Sequence, residues 1–277
     1  MQEFDMYGGE IRLEFSEAAH RYRVSRKEVK SWSKPKAVVG VSTVLNTLNK
    51  PSLMTWPMVE CLKHIGCTLK FTNGDYVWHV KKNIILTEEL VRDAAKAYTR
   101  RSEAGKDIGK DIHWHIEVWL RDGGRMDSDD LVVNRGVNNF VKWFEESKAR
   151  VLEIERVVYS KALDYAGTFD ALLEVNGKTV LVDWKTSNVS KDAPEGIYPE
   201  AILQMGAYSL AFTEETGRTI DRLMVVNISK KDGRINTLSN AQLGWNVEDC
   251  ERAFRDLLNV YRFHSRTANY IRKGVRL

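Results

Sequence analysis

Two runs of strand-forming residues, AGTFDALLEV (166–175) and KTVLVDWKTS (178–187), are separated by nothing but Asn176-Gly177. Asn-Gly is the strongest short hairpin signal, because both turn positions need φ > 0 and these two residues accept it at least cost. The turn fixes the register. Asp170 lies six residues before Asn176 and Asp183 six after Gly177, so the two carboxylates face each other or nearly so. Cross-strand neighbours have Cβ atoms about 4.5–5.5 Å apart. Two ionised carboxylates that close repel by about 4 kcal/mol at a surface-like effective dielectric. Folding requires no such cost. A divalent cation, helped by Lys185, would remove it, and oxygen ligands are what Mg²⁺ and Mn²⁺ prefer.

The second strand sharpens the expectation. Side chains alternate, so Asp183 and Lys185 share one face, about 7 Å apart, and Trp184 points to the other. Leu181 and Val182 make the earlier part apolar on both sides, as in a central strand covered by helices on both faces. Taken alone, the pair also fits a solvated strand end with an ion pair worth about 0–1 kcal/mol. Three further features bear on the choice. Gly105, Gly109, His113 and Glu117 recur every four residues and form one stripe of a helix. Two helical glycines cost about 1 kcal/mol each, so the stripe points to a close approach by the sheet or by a substrate; a glycine-notched packing face is the plain alternative. Gln204 and Tyr208, also four apart, could hydrogen-bond a phosphate or the lysine, or form a simple helix-surface pair. Glu155, on the preceding strand, faces either the same site or solvent. His115 lies off the stripe and reads as structural.

Coarsely, the elements run as short strands (IRLEF, HRYRVS, AVVG), a helix after Pro57, a hairpin over 69–86, helices over 87–120 and 135–149, three strands, a helix over 199–215, another strand pair and a last helix over 246–271. That order predicts an α/β (mixed α+β) fold, a central mixed sheet with helices on its faces. At 277 residues, 29% charged and 43% apolar, the chain has a globular balance. No apolar run reaches membrane-spanning length. The N-terminus has no basic start followed by an apolar core, and the cysteines (Cys61, Cys67, Cys250) form no CxxC. An intracellular, cytoplasmic protein without membrane association is expected. Net charge is only +4, but Arg21–Lys36 holds seven Lys/Arg against one acid, and Arg262 onward holds five against none. With Tyr22, Trp32, Tyr261, Phe263 and Tyr270 interleaved, these flanks suit a phosphate backbone and stacked bases, or simply a solvated basic surface.

The ordered set GKDIHWHIE (Gly109, His113, Glu117), Glu155, GTFD (Gly167, Asp170), DWK (Asp183, Lys185) and QMGAY (Gln204, Tyr208) resembles the PD-(D/E)XK nuclease superfamily, in particular its RecB-like exonuclease branch. Each motif alone is weak; order and spacing together are specific. HRYRV and VSTVLNTLNKPSLMTW are similar to the lead-in of stand-alone phage and mitochondrial exonucleases of this branch. Phe169 stands where the superfamily's name has proline. The resemblance implies an N-terminal elaboration over 1–100 that binds or threads DNA, and a restriction-endonuclease-like core over 101–277 that forms one compact unit with the C-terminal helix. It implies that Asp170, Asp183, the Trp184 carbonyl and His113 hold Mg²⁺ or Mn²⁺. Lys185 would position or deprotonate the attacking water, Gln204 and Tyr208 would orient Lys185 or the strand, and Glu117, Glu155 and Gly109 would stand behind these or position DNA. The implied activity is metal-dependent DNA exonuclease action in recombination, repair or replication, on single strands or free ends; the alternatives are a duplex-end exonuclease or endonuclease of the same fold, or a non-catalytic nucleic-acid-binding protein that keeps the fold. A helicase, strand-annealing or single-strand-binding protein would be the partner. Some relatives carry an iron–sulfur cluster on four cysteines; with three at unsuitable spacings, none is expected here.

Overall fold

The computed structural model describes residues 1–48, 51–72, 75–80, 85–124, 127–188 and 195–272. The chain forms two compact units, Met1–Leu48 with Ile112–Leu277, and Asn49–Asp111. In chain order the elements are β1 (Gln2–Met6), β2 (Ile11–Ser16), β3 (Arg21–Arg26), β4 (Lys36–Gly40), α1 (Val41–Leu45), α2 (Pro51–His64), β5 (Thr68–Thr72), β6 (Asp75–His79) and α3 (Glu88–Asp122). These are followed by α4 (Leu131–Ser147), β7 (Arg150–Ser160), β8 (Tyr165–Val175), β9 (Lys178–Ser187), α5 (Pro199–Thr216), β10 (Arg222–Ser229), β11 (Ile235–Ser239) and α6 (Val247–Arg272).

The smaller unit contains α2, the β5–β6 hairpin and the start of α3. Thr87 caps α3, its Oγ1 accepting from Leu90 N at 3.2 Å. The helix expected after Pro57 in fact begins at Pro51, with Pro57 inside it. Proline fits the first turn, where N–H groups have no acceptor anyway, but Pro57 lies beyond that turn and forfeits one i→i−4 bond.

The larger unit is built on a nine-stranded sheet in the order β1-β2-β3-β4-β8-β9-β10-β11, with β7 also paired to β8. The sheet is mixed: β4–β8 and β9–β10 are parallel, the rest antiparallel. Strand β9 is central, as its two-sided apolar pattern requires. On one face Leu181 joins Leu172, Met205, Phe212, Phe254 and Leu258 in a core shared with α5 and α6. On the other, Trp184 meets the Phe140 ring of α4 edge-on at 4.9 Å. Gly136 lets α4 settle there: a Cβ would lie 3.0 Å from Ile228 Cγ2 and 3.2 Å from Ile112 Cδ1. Each fully buried side chain of this size contributes about 1.5–3 kcal/mol. The inward face of the N-terminal meander (Met6, Leu13, Tyr22, Val24) packs on Val157, Tyr159 and Ala166.

One consequence of the pairing positions the site. Strand β9 follows β8 from Val175↔Lys178 only as far as Ala171↔Val182. On the same edge of β8, β4 pairs at Tyr165 and Ala166. Between them, among the described residues, no strand pairs with Gly167–Asp170 on that edge. The sheet forks, and the two aspartates stand at the fork.

Candidate active site

The Asn176-Gly177 turn, with φ of 51° and 74°, sets the register from which Asp170 and Asp183 would form the next pair after Ala171↔Val182. The backbone pair does not form. Instead the Asp170 carboxylate accepts the Trp184 N–H at 2.6 Å, doing for that amide what a neighbouring carbonyl would do. Asp183 is buried, and its Oδ2 contacts the Lys185 ammonium yet accepts no well-aligned hydrogen bond. A third of the Lys185 side chain remains open to solvent.

Glu155 faces the same site. Its neighbours Ile154 and Arg156 pair with Ala171 and Phe169, which sets Glu155 level with Asp170 on the adjoining strand. Its φ of 47° interrupts the ladder there, a left-handed conformation that a non-glycine residue adopts only at a cost. Three carboxylates, Glu155, Asp170 and Asp183, therefore lie across three successive strands.

Their charges oppose one another. Burial, then the Asp183 and Glu155 charges, push Asp170 well above the usual carboxylate range, against the pull of Lys185 and the Trp184 N–H. Glu155 is pushed up to about 7 by burial, by Glu117 and by Asp183, with Arg121 opposing. Burial works to lower the Lys185 pKa, but Asp183 and Asp170 outweigh it and hold it raised, so the group is an ammonium at neutral pH. His113, with Nδ1 3.9 Å from Asp170 Oδ2, is lowered to about 4, chiefly by burial. It is thus neutral at pH 7, the form that ligates metals.

Gln204 Nε2 donates to the Tyr208 hydroxyl at 2.6 Å, so the two residues engage each other. Burial and then the Asp183 charge raise the Tyr208 hydroxyl well above its ordinary value, which places it in the field of the carboxylates. The ring sits where a Gly167 side chain would be: a Cβ there would lie 2.5 Å from Tyr208 Cε1. Glu117 is held by Arg121 Nη2 at 2.8 Å and adds its charge to Glu155. Gly109 is buried and belongs to the smaller unit, and the surroundings of Gly105 fall outside the described residues.

Among the described residues no three His, Cys, Asp or Glu side chains are drawn into a ready metal cluster. The chemistry of the donors nonetheless suits a hard divalent ion: mutually repelling carboxylates, a carboxylate oxygen without an aligned hydrogen bond and a neutral imidazole. The Lys185 ammonium faces Asp183, and the Trp184 N–H dipole faces Asp170.

Two contributors were not read from the sequence as parts of this site. Tyr22, from β3, places its hydroxyl 3.0 Å from Thr168 Oγ1 and is raised by burial and by Glu155. Asn227 lies level with Lys185 on β10; its Oδ1 accepts Ser187 N at 3.1 Å and its Nδ2 donates to Glu195 O at 3.1 Å. It thereby fastens the chain on both sides of the segment after Lys185. A lone asparagine in RLMVVNIS was the available signal. Tyr22 was expected among the base-stacking aromatics of the basic flank; it is instead buried, and its place beside Thr168 depends on a parallel β4–β8 pairing between distant segments. Among the described residues no helix is long and apolar enough to cross a membrane.

A carboxylate-lysine fork in a mixed sheet covered by helices defines a class, and comparison with known proteins identifies it. The chain belongs to the PD-(D/E)XK nuclease superfamily, whose family model matches residues 76–268. It is 27% identical over 155 residues to human (Homo sapiens) mitochondrial genome maintenance exonuclease 1, an alignment covering 55% of this chain and 43% of the human protein, so it spans less than half of that relative's length. Among solved structures, an alkaline exonuclease from Laribacter hongkongensis matches 58% of this chain and 86% of its own, at 16% identity and a TM-score of 0.29. A phage-related exonuclease from Haemophilus somnus 129PT matches 60% and 88%, at 12% identity and a TM-score of 0.27.

Proposed function

We propose that this protein is a divalent-metal-dependent DNA exonuclease that hydrolyses phosphodiester bonds, with single strands or free ends as substrate. The carrying observation is the crowding of Glu155, Asp170 and Asp183 at the fork of the sheet, with the Lys185 ammonium against Asp183, a repulsive arrangement that folding does not need. The human relative's name, an exonuclease, agrees with this reading.

Asp170, Asp183, the Trp184 carbonyl and His113 would hold Mg²⁺ or Mn²⁺. Such an ion, when bound, acidifies water and polarises a phosphoryl oxygen. The protein's own part is positioning and charge. Lys185, an ammonium on a part-exposed side chain, orients the attacking water and offsets charge on the phosphate. The Tyr208 hydroxyl, fixed by Gln204, orients Lys185 or the strand, and Glu117 and Glu155 set the charge behind the site. Barrier reductions toward about 20 kcal/mol are needed for phosphate-ester hydrolysis, more than one carboxylate-lysine pair alone supplies. Exposed Phe263 and Tyr270 on α6, beside Arg266 and Arg272, support strand stacking. We place the activity in intracellular recombination, repair or replication, beside a helicase, strand-annealing or single-strand-binding protein. Incubation with linear and closed circular single-stranded DNA tests the assignment. Linear DNA should shorten from its ends and circles should persist; cutting of circles would refute exonuclease action.

A further inference from the structure

Resting on that reading, we propose that the solvent face of the β3–β4 hairpin, with its connecting loop, is a second contact for the DNA strand, gripping its phosphates about 20 Å from the carboxylates. Strand β3 alternates over its first four residues: Tyr22 and Val24 are buried, Arg21 and Arg23 exposed. Its first residues lie beside the site, since the Tyr22 hydroxyl meets Thr168, two residues before Asp170. From there the hairpin leads away. Strand β3 pairs antiparallel with β4 (Tyr22↔Val38, Val24↔Lys36), and β4 pairs parallel with β8 (Val39↔Tyr165). At the far end Lys36 Nζ reaches Asp164 Oδ2 at 3.0 Å. Six residues of β8 separate Asp164 from Asp170, which is about 20 Å at 3.3 Å per residue.

The loop at that end, KEVKSWSKP (27–35), is built rather than loose. Lys27 bridges to Trp32, Glu28 N donates to Ser31 O at 2.9 Å, and Ser33 N donates to Arg26 O at 2.9 Å. The Arg12 guanidinium lies over the Trp32 ring at 4.4 Å. Among the described residues none of Arg21, Arg23, Lys27, Lys30 and Lys34 forms an ion pair, and all five are exposed. The nearby acids are largely engaged: Glu28 accepts from Ser31 Oγ at 3.0 Å, and Arg12 holds Asp5 and Glu3 at 3.2 and 3.5 Å. Glu14 stands across from Arg23. Five exposed cations along one hairpin, against the charges of Glu14 and Glu28, leave a net positive strip that suits a long polyanion and not one phosphate. From carboxylates to loop is thus about 20 Å or more, roughly six nucleotides for a strand stacked as in B-form DNA and fewer for an extended one.

The test is binding as a function of strand length. End-labelled single strands of three to twenty nucleotides are titrated by fluorescence anisotropy, in EDTA, against the parent and a variant carrying Arg23→Ala, Lys27→Ala, Lys30→Ala and Lys34→Ala. We expect the variant to bind the 20-mer about tenfold or more weakly, with a salt slope smaller by about 3, while trinucleotide affinity is unchanged. A second variant, Lys27→Arg with Lys30→Arg and Lys34→Arg, should match the parent, and melting curves confirm that each variant is folded. Equal loss at every length, or no loss on the 20-mer, overturns the second contact and leaves the nuclease reading intact. A parent that binds no strand of any length overturns the nuclease reading, and the second contact with it.

Discussion

Replacing Glu155 by glutamine should make the metal-free protein more stable above neutral pH. Glutamine keeps the shape and the strained φ of 47° but removes the charge, so the substitution isolates electrostatics. Raising this carboxyl from 4.5 to about 7 corresponds to a folding penalty on the order of 3 kcal/mol once the group is ionised in both states. The sign follows from the direction of the shift. A folded-state pKa above the unfolded one means that the fold favours the protonated form. The group's contribution is therefore fully present below about 4.5, and it is lost as pH rises through about 7. For a chain of 277 residues, 3 kcal/mol is a shift in Tm of about 5 °C. In EDTA, thermal unfolding followed by circular dichroism should place the variant about 5 °C above the parent at pH 8 and level with it near pH 4.5. Mg²⁺ or Mn²⁺ should raise the parent's Tm more than the variant's, since a bound cation relieves the same repulsion. A difference that does not change with pH, or a variant less stable at pH 8, would refute the three-carboxylate account.

Two other substitutions probe the supports of the site. Gly206→Ala would put a Cβ 2.4 Å from the Cys250 carbonyl oxygen, so α5 and α6 must separate; overpacking against backbone should cost about 3 kcal/mol or more, read as a lowered denaturation midpoint. Tyr208→Phe keeps the ring against Gly167 but deprives Gln204 of its acceptor, and should lower kcat about 10- to 100-fold with little change in Tm, checked by steady-state degradation of a labelled strand.

How much of this was legible in the sequence depended on how local each determinant is. Asn176-Gly177 alone dictated that Asp170 and Asp183 approach, and the apolar pattern of Val180–Trp184 put β9 at the centre of the sheet; both rest on neighbours within one hairpin. The detail that Asp170 takes the Trp184 N–H was hidden, because it arises only where β9 leaves β8. Glu155 could not be assigned a face, since a positive φ in mid-strand breaks the period-two rule on which any such reading relies. Strand β1, with two acids in QEFDM, lacks a strand-like composition and is held by its antiparallel pairing to β2. The start of α2 at Pro51 was missed because Pro57 reads as a stop, although the structure tolerates it at the loss of one backbone bond.

The central claim is that Asp183 and Lys185, with Asp170, act through a divalent ion on a DNA phosphodiester. Its most direct test is degradation of an end-labelled single strand by the parent, Asp183→Ala and Lys185→Ala, each with Mg²⁺, Mn²⁺ or EDTA. The parent should shorten the strand with either metal and not in EDTA, while both variants, folded by circular dichroism, fall at least about 10³-fold in rate. Undiminished degradation by both folded variants, or full activity of the parent in EDTA, would contradict it.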